Sequence, residues 1–287
     1  MNYLTERKIV SANIHITDAC NYRCRLCFSR GLCHHGHMGA ESWKPILTDM
    51  IVNRGIRKIN FAGGEPFLHP NLMECVRHCK QLGATTSVIT NGSLLEPDDI
   101  NVMSGVIDWI GFSIDSCFES TEVALGRHTD GIQHIRNVVR LSKAAHDAGV
   151  RVKLDIVITG QSAKDDFQCI IDMIDPERVK FMQVTHVNGV NDDGFLETRI
   201  GDGIFDDVID RHHDIVLRSG KHPVFERSDD IIDSYLMLDP LGRIRLGTEN
   251  GYLYLGYEDY WNGYMKVNLD RYISRGALYE WNESGRE

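Results

Sequence analysis

The sequence predicts an α/β protein, with six strand–helix units in series over residues 1–190 and a C-terminal extension over 191–287 in the same domain. Two observations carry this. Short β-branched runs alternate with longer amphipathic stretches, each ending near a Gly, Asp or Pro. Motifs rich in Cys, Gly, Asn and Ser recur just after the strands, where α/β proteins gather their ligand groups.

The elements follow in order. "IVSANIHIT" (9–17) reads as a strand and runs into "CNYRC". A helical stretch at 41–54 leads to "KINFAG" (58–63), a strand followed by "GGEP". Helix 70–82 leads to "TTSVIT" (85–90), followed by "NGS", and helix 96–105 to "WIGFSID" (109–115). Helix 130–148 precedes "VRVKLDIVI" (150–158), and helix 163–174 precedes "VKFMQVT" (179–185). Units of this kind imply parallel strands joined by right-handed crossovers. Spacing alone leaves open a partial barrel, a full barrel or a doubly wound sheet. Beyond 190 the pattern loosens to a helix near 202–219, a strand pair in "SYLMLDPLGRIRL" and an aromatic tail, "YLYLGYEDYWNGYMKV". That tail carries six aromatics between Tyr252 and Tyr264, so it reads as core packing or as a lid over the mouth of the site.

Composition narrows the function classes. A formal charge of −10 argues against a nucleic-acid binder, which needs a basic footprint. The N-terminus lacks a signal-peptide layout and no run is long enough for a membrane helix, so the expected location is the cytoplasm, without membrane contact. There, eight cysteines point to metal or redox chemistry before disulfides. Cys20, Cys24 and Cys27 stand as C-x3-C-x2-C. Three thiolates leave a structural zinc site one ligand short, although Cys33, His34, His35 or His37 could supply a fourth. Cys75 and Cys79, four apart on a helix, read as core.

The triplet, with Leu26 before its last cysteine, resembles the signature of radical S-adenosylmethionine enzymes. The resemblance implies a partial (βα)6 barrel of TIM type and a 4Fe–4S cluster held by three cysteines. Its open iron is chelated by S-adenosyl-L-methionine, which yields a 5′-deoxyadenosyl radical. Gly63, Gly64 and Glu65 match the family's GGEP motif. Asn91, Ser93 and Ser113 fall where ribose or carboxylate contacts lie, and Arg127 suits the cofactor carboxylate.

The blocks "HITDACNYRCRLCF", "KINFAGGEPFL", "VITNGSLL", "LGRHTDG", "VKLDIVI", "VKFMQV" and "DSYLMLD" are similar, in order, to those of the viperin family over residues 13–240. That resemblance implies conversion of a ribonucleoside triphosphate (CTP, UTP or GTP) to its 3′-deoxy-3′,4′-didehydro form, an antiviral chain terminator. It also implies an electron donor such as flavodoxin or ferredoxin. Lys58, Lys153, Arg178 and Lys180 match the phosphate-holding positions, Asn13 and Asn60 lie near the nucleotide, and Tyr235 matches a tyrosine that delivers the final hydrogen or proton. An acidic protein needs such a local cradle for about four phosphate charges. The chain departs from that family at Ala62, where a serine is usual, at Asp155, where an asparagine is usual, and throughout "SRGLCHHGHMG". Two other readings compete. A radical peptide modifier with an auxiliary cluster would need cysteines after Cys169, and there are none. A zinc-binding interaction protein would leave the GGEP, NGS and lysine placements unexplained.

Overall fold

In the computed structural model, residues 8–29, 36–249, 251–263 and 267–281 are described. Cys33, His34 and His35, three of the proposed fourth ligands, lie outside them, as does Tyr264. The six predicted strands are present: β1 (Ser11–Thr17), β2 (Lys58–Gly63), β3 (Thr85–Thr90), β4 (Trp109–Ser113), β5 (Arg151–Ile158) and β6 (Arg178–Gln183). They pair in chain order, all parallel. A short β7 (Val224–Glu226) adds beyond β6, and β8 (Met237–Leu238) adds on the far side of β1, both parallel. β9 (Ile244–Thr248) and β10 (Gly251–Leu255) continue antiparallel, so the sheet reads β10-β9-β8-β1-β2-β3-β4-β5-β6-β7 and is not closed. The partial-barrel expectation holds.

Strand parity explains how this sheet carries a site. Side chains alternate faces along a strand. Ile14 and Ile16, Ile59 and Phe61, Val152 and Leu154, and Val179 and Phe181 share one face, buried in the main hydrophobic core. That core is filled from outside by α1 (Ala40–Thr48), α2 (Leu72–Gln81), α3 (Pro97–Met103), α5 (His134–Asp147) and α6 (Gln168–Ile174), with a short α4 (Glu119–Ala124) between β4 and α5. The opposite parity, including Asn13, Lys58, Asn60, Lys153, Asp155, Arg178 and Lys180, faces one cavity. Cys75 and Cys79 are fully buried core on α2, as their spacing predicts.

Helix limits move inward from the predicted ones for identifiable reasons. α3 starts at Pro97 because Glu96 and Asp99 form a reciprocal capping box around it. The 41–54 stretch divides into α1 and a π-helical turn at Asp49–Asn53. α7 (Asp192–Thr198) was not legible as a helix, and the 202–219 stretch yields only α8 (Asp202–His212).

The described part of the aromatic tail packs away from the cavity. Tyr252 and Tyr254 belong to edge strand β10, and Tyr257, Tyr260 and Trp261 to α9 (Tyr257–Trp261). α9 docks on the outside, with the Tyr257 hydroxyl donating to Asp49 at 2.8 Å and Arg54 lying over the Trp261 ring. None of these five rings lines the cavity. After α10 (Leu269–Ser274) the chain instead crosses the opposite end, where the strands begin. Trp281 packs there with Val10 and Trp109, its carbonyl accepting from Trp109 Nε1 at 3.2 Å, and the Gly276 carbonyl accepts from Arg178 at 2.7 Å. The extension therefore closes the floor of the cavity. Trp281 is fully buried, and Trp281→Ala is expected to cost about 3–5 kcal/mol in chemical denaturation. A loss under about 1 kcal/mol would mean this segment is not part of the cooperative fold.

Candidate active site

The cavity has a volume of about 580 Å³ and runs from the loop after β1 down to the strand beginnings. Cys20, Cys24 and Cys27 line its upper wall, half-buried, with Leu26 packed behind them on Leu125 and Val184. Backbone bonds from Arg23 to the Gly126 carbonyl (3.0 Å) and from Arg25 to the Leu125 carbonyl (2.9 Å) clip the loop to the end of α4. A side-chain bond fixes it again: the Tyr22 hydroxyl lies 3.2 Å from His134 Nδ1, and His134 Nε2 lies 2.8 Å from the Ser113 carbonyl. A carbonyl only accepts, so Nε2 carries the proton and Nδ1 accepts from the tyrosine. Burial drives the His134 pKa down to about 3, which keeps this relay neutral.

Gly63 and Gly64 are held against the cysteine loop. A Cβ on either would stand 2.1 Å from the carbonyl oxygen of Thr17 or Ala19. Their role in the chain is to let the end of β2 touch the cysteine loop, where Gly64 and Glu65 amides bond the Thr17 and Ala19 carbonyls at 2.8 Å each. Both glycines line the cavity; Glu65 does not. Its buried carboxylate accepts from the Phe67 amide (3.1 Å), the Thr90 hydroxyl (2.8 Å) and the Asn91 amide (2.8 Å), bracing β2 to β3. Asn91 lines the cavity and passes this order to the loop, donating to Asn21 at 3.0 Å and reaching Cys20 Sγ at 4.0 Å. Ser93 stands behind it, off the cavity wall, bonding Asn91 Oδ1 at 2.6 Å.

Arg127 was expected to meet a ligand carboxylate. It reaches the cavity, but its guanidinium already pairs with two buried acids, Asp115 (Nε at 2.7 Å) and Glu122 (3.4 Å). Burial pushes the Glu122 carboxyl up to about 8, against the pull of Arg127. Asp115 also accepts from the Val157 amide at 2.9 Å, so the triad ties β4, α4 and β5 together beneath Cys24.

The donor set fits an iron–sulfur cluster. Thiolate ligands with backbone N–H groups aimed at sulfur are the means by which proteins hold and tune such clusters. Here the Tyr22 amide lies 3.4 Å from Cys20 Sγ, and the Ser29 amide 3.4 Å from Cys27 Sγ. Among the described residues no three His, Cys, Asp or Glu side chains stand close enough to hold a single ion. Burial raises the Cys24 thiol to about 12, so its deprotonation must be driven by metal loading.

The lower half of the cavity is cationic. Register sets Asn13 beside Asn60, Lys153 beside Arg178 and Asp155 beside Lys180 on adjacent strands. Asn60 donates to Asn13 at 3.0 Å. Lys58 is almost fully buried in a cage of Trp109, Tyr279 and Trp281, 4.5–5.6 Å from their ring centres, and donates to the Tyr279 hydroxyl. Arg178 stacks on the same tyrosine at 3.8 Å. Lys153 lies 2.7 Å from Asp155, and Lys180 donates to Tyr235 at 2.6 Å and to Glu226. Burial pushes Lys58 and Lys180 down to about 8. Tyr279 also falls to about 8: burial alone would raise it, but Lys58, Arg178 and Lys153 outweigh that. Sequence reasoning missed Tyr279, Glu226, Arg275, Asp115 and His134. Their partners lie up to 221 residues away in the chain, and no local pattern marks them.

Comparison with known proteins now bears on this geometry. The description "Radical SAM superfamily" matches residues 14–174. An S-adenosylmethionine-dependent nucleotide dehydratase of Thermoplasmatales archaeon (strain ISO4-H5) is 38% identical over 96% of this chain and 97% of that protein. One from Flammeovirga pacifica is 32% identical over 95% and 96%, and the dehydratase RSAD2 of Danio rerio is 28% identical over 96% and 79%. Among solved structures, Streptococcus suis SuiB bound to S-adenosylmethionine superposes with a TM-score of 0.66 at 15% identity, covering 93% of this chain and 68% of that one. That likeness speaks for the fold. From the cysteine loop to the last strands, this chain belongs to the radical S-adenosylmethionine superfamily, in its family of S-adenosylmethionine-dependent nucleotide dehydratases.

Proposed function

We propose that the chain converts a ribonucleoside triphosphate to its 3′-deoxy-3′,4′-didehydro analogue. The observation that carries this is the cavity itself, which joins the cysteine triplet above to Lys58, Lys153, Arg178 and Lys180 below. When bound through Cys20, Cys24 and Cys27, the cluster with S-adenosyl-L-methionine supplies the radical that takes the 4′ hydrogen. The chain's own residues do the rest. The four cations hold the phosphates, Asn13 and Asn60 orient the ribose above them, and the cage of Trp109, Tyr279 and Trp281 keeps water from the floor. The 3′-hydroxyl leaves with one proton as water, and Tyr235 passes on the single electron that completes the product. CTP, UTP or GTP is the substrate, and a flavodoxin or ferredoxin the electron source, in the cytoplasm. Among the described residues no helix is long and apolar enough to cross a membrane. The relatives named as nucleotide dehydratases support this reading. Asp155 and Glu226 offset part of the cationic charge, which favours testing diphosphates and other small phosphorylated compounds beside the four triphosphates.

Anaerobic incubation with each ribonucleoside triphosphate, followed by mass detection of a product lighter by one water, tests the reaction. Reconstituted protein should carry about four iron atoms, one cluster per chain, and Cys24→Ala should lose both the iron and cofactor cleavage. Iron near eight atoms, or cleavage retained by Cys24→Ala, would refute the three-cysteine site. Lys153→Ala and Lys180→Ala each remove a charge-assisted contact worth on the order of 1.5–3 kcal/mol, so KM for the nucleotide should rise roughly ten- to a hundredfold. Normal turnover in both, or equal use of the bare nucleoside, would displace the substrate from this cradle. Binding also has a predicted pH dependence. Lys58 and Lys180 lose their protons above about 8 when free, whereas a bound phosphate holds them charged. Binding therefore takes up protons, and affinity should be flat below about pH 8 and fall above it. A KM unchanged between pH 7 and 9.5 would contradict this.

A further inference from the structure

Glu226 sits on β7, is fully buried and lines the cavity, yet no sequence motif marks it. Both of its oxygens face one phenol: the Tyr235 hydroxyl lies 2.9 Å from Oε1 and 2.7 Å from Oε2. Lys180 donates to the same hydroxyl at 2.6 Å and to the same carboxylate. A phenolic oxygen that accepts from an ammonium has its own proton left to donate, and the carboxylate is its acceptor. Arg275 covers the other side of the tyrosine, 3.4 Å from the ring centre, and is anchored on the Ser234 carbonyl at 2.8 Å. The hydroxyl is thus held in one orientation, with a base of its own and no solvent needed.

We propose that Glu226 is the positioning residue for Tyr235 and takes its proton when the tyrosine gives up an electron. The inference rests on the proposed nucleotide reaction. After 4′-hydrogen removal the 3′-hydroxyl leaves as hydroxide, which takes one proton from solvent to become water, and the substrate is then a radical cation that lacks one electron. Tyr235 supplies that electron, which completes the 3′,4′ double bond, and its O–H proton passes to the Glu226 carboxylate. A one-electron reductant of the ferredoxin or flavodoxin class then returns an electron to the phenoxyl, and Glu226 returns the proton, restoring both groups. The carboxylate is free to accept at neutral pH: burial alone would raise its pKa, but Lys180 and Arg275 hold it below the usual range. Substrate binding strengthens the base. Phosphate oxygens arriving at Lys180 compete for its charge and leave Glu226 less neutralised, so the tyrosine becomes readily oxidised only when nucleotide is present.

Glu226→Gln tests this, because the amide still accepts from the phenol but cannot take its proton. The ratio of didehydro product to 5′-deoxyadenosine is expected to fall at least tenfold. The ratio is read at saturating nucleotide, because removing the carboxylate frees Lys180 for phosphate and also withdraws the charge that keeps it protonated. Glu226→Asp, which keeps the carboxylate, should recover part of the ratio. A wild-type ratio in Glu226→Gln, or equal losses in the Gln and Asp variants, would overturn the proposal. If iron content or Tm shows that the Gln variant misfolds, wild-type enzyme in deuterium oxide decides: the product ratio should drop, and an unchanged ratio overturns the proposal. A wild-type enzyme that consumes no nucleotide at all refutes the underlying reaction, whereas normal coupling by Glu226→Gln in an active enzyme refutes this inference alone.

Discussion

Burying several cations in one cavity is the constraint around which this molecule is arranged. An ammonium taken out of water without a partner is strongly destabilising, so each must be met by an anion, an aromatic face or a ligand. Each is met differently here. Lys58 has three aromatic rings and a phenol, Arg178 a ring and a carbonyl, Lys153 a neighbouring aspartate, and Lys180 a carboxylate shared with a tyrosine. Aromatic faces and phenols satisfy a cation only in part, so the cavity keeps positive potential that a polyanion can use. A protein of net charge −10 therefore presents a cationic interior.

The upper half of the site answers a different demand, rigidity. Three thiols on one short loop can hold a cluster only if that loop cannot move. Its anchors come from the ends of two strands and the start of a helix: the Thr17 and Ala19 carbonyls on the GGEP turn after β2, Asn21 on Asn91 after β3, and Tyr22 on His134 of α5. Glu65 stands off the cavity wall and Asp115 lines it, and both hydrogen-bond adjacent strand ends together. In this chain the GGEP turn joins strand ends, and its two glycines are required by backbone contact.

The two halves meet at β1, which carries Asn13 into the cationic half of the cavity and, a few residues on, runs into the cysteine loop. Parity makes this possible. One face of strands β1, β2, β5 and β6 packs apolar side chains on the helices, and the other directs Asn13, Lys58, Asn60, Lys153, Asp155, Arg178 and Lys180 to the same cavity. The cysteine loop and the buried cations are thereby placed in a single volume.

Much of this was legible in the sequence, because it is local. Strand parity, the C-x3-C-x2-C spacing, the GGEP and NGS turns and the inward lysines depend on residues within a few positions of one another. All but Glu65 and Ser93 of the candidate residues line the cavity. What only the tertiary structure decided is non-local. Tyr279 reaches Lys58 across 221 residues and Tyr235 reaches Lys180 across 55, and Glu226 sits on a three-residue strand too short to show a period. The aromatic tail follows the same rule: composition says that rings will be buried, and cannot say against which surface. Periodicity thus determined which face of each strand would carry the chemistry. The partners of the buried charges were settled by packing between segments far apart in the chain, where desolvation makes each unpaired group costly.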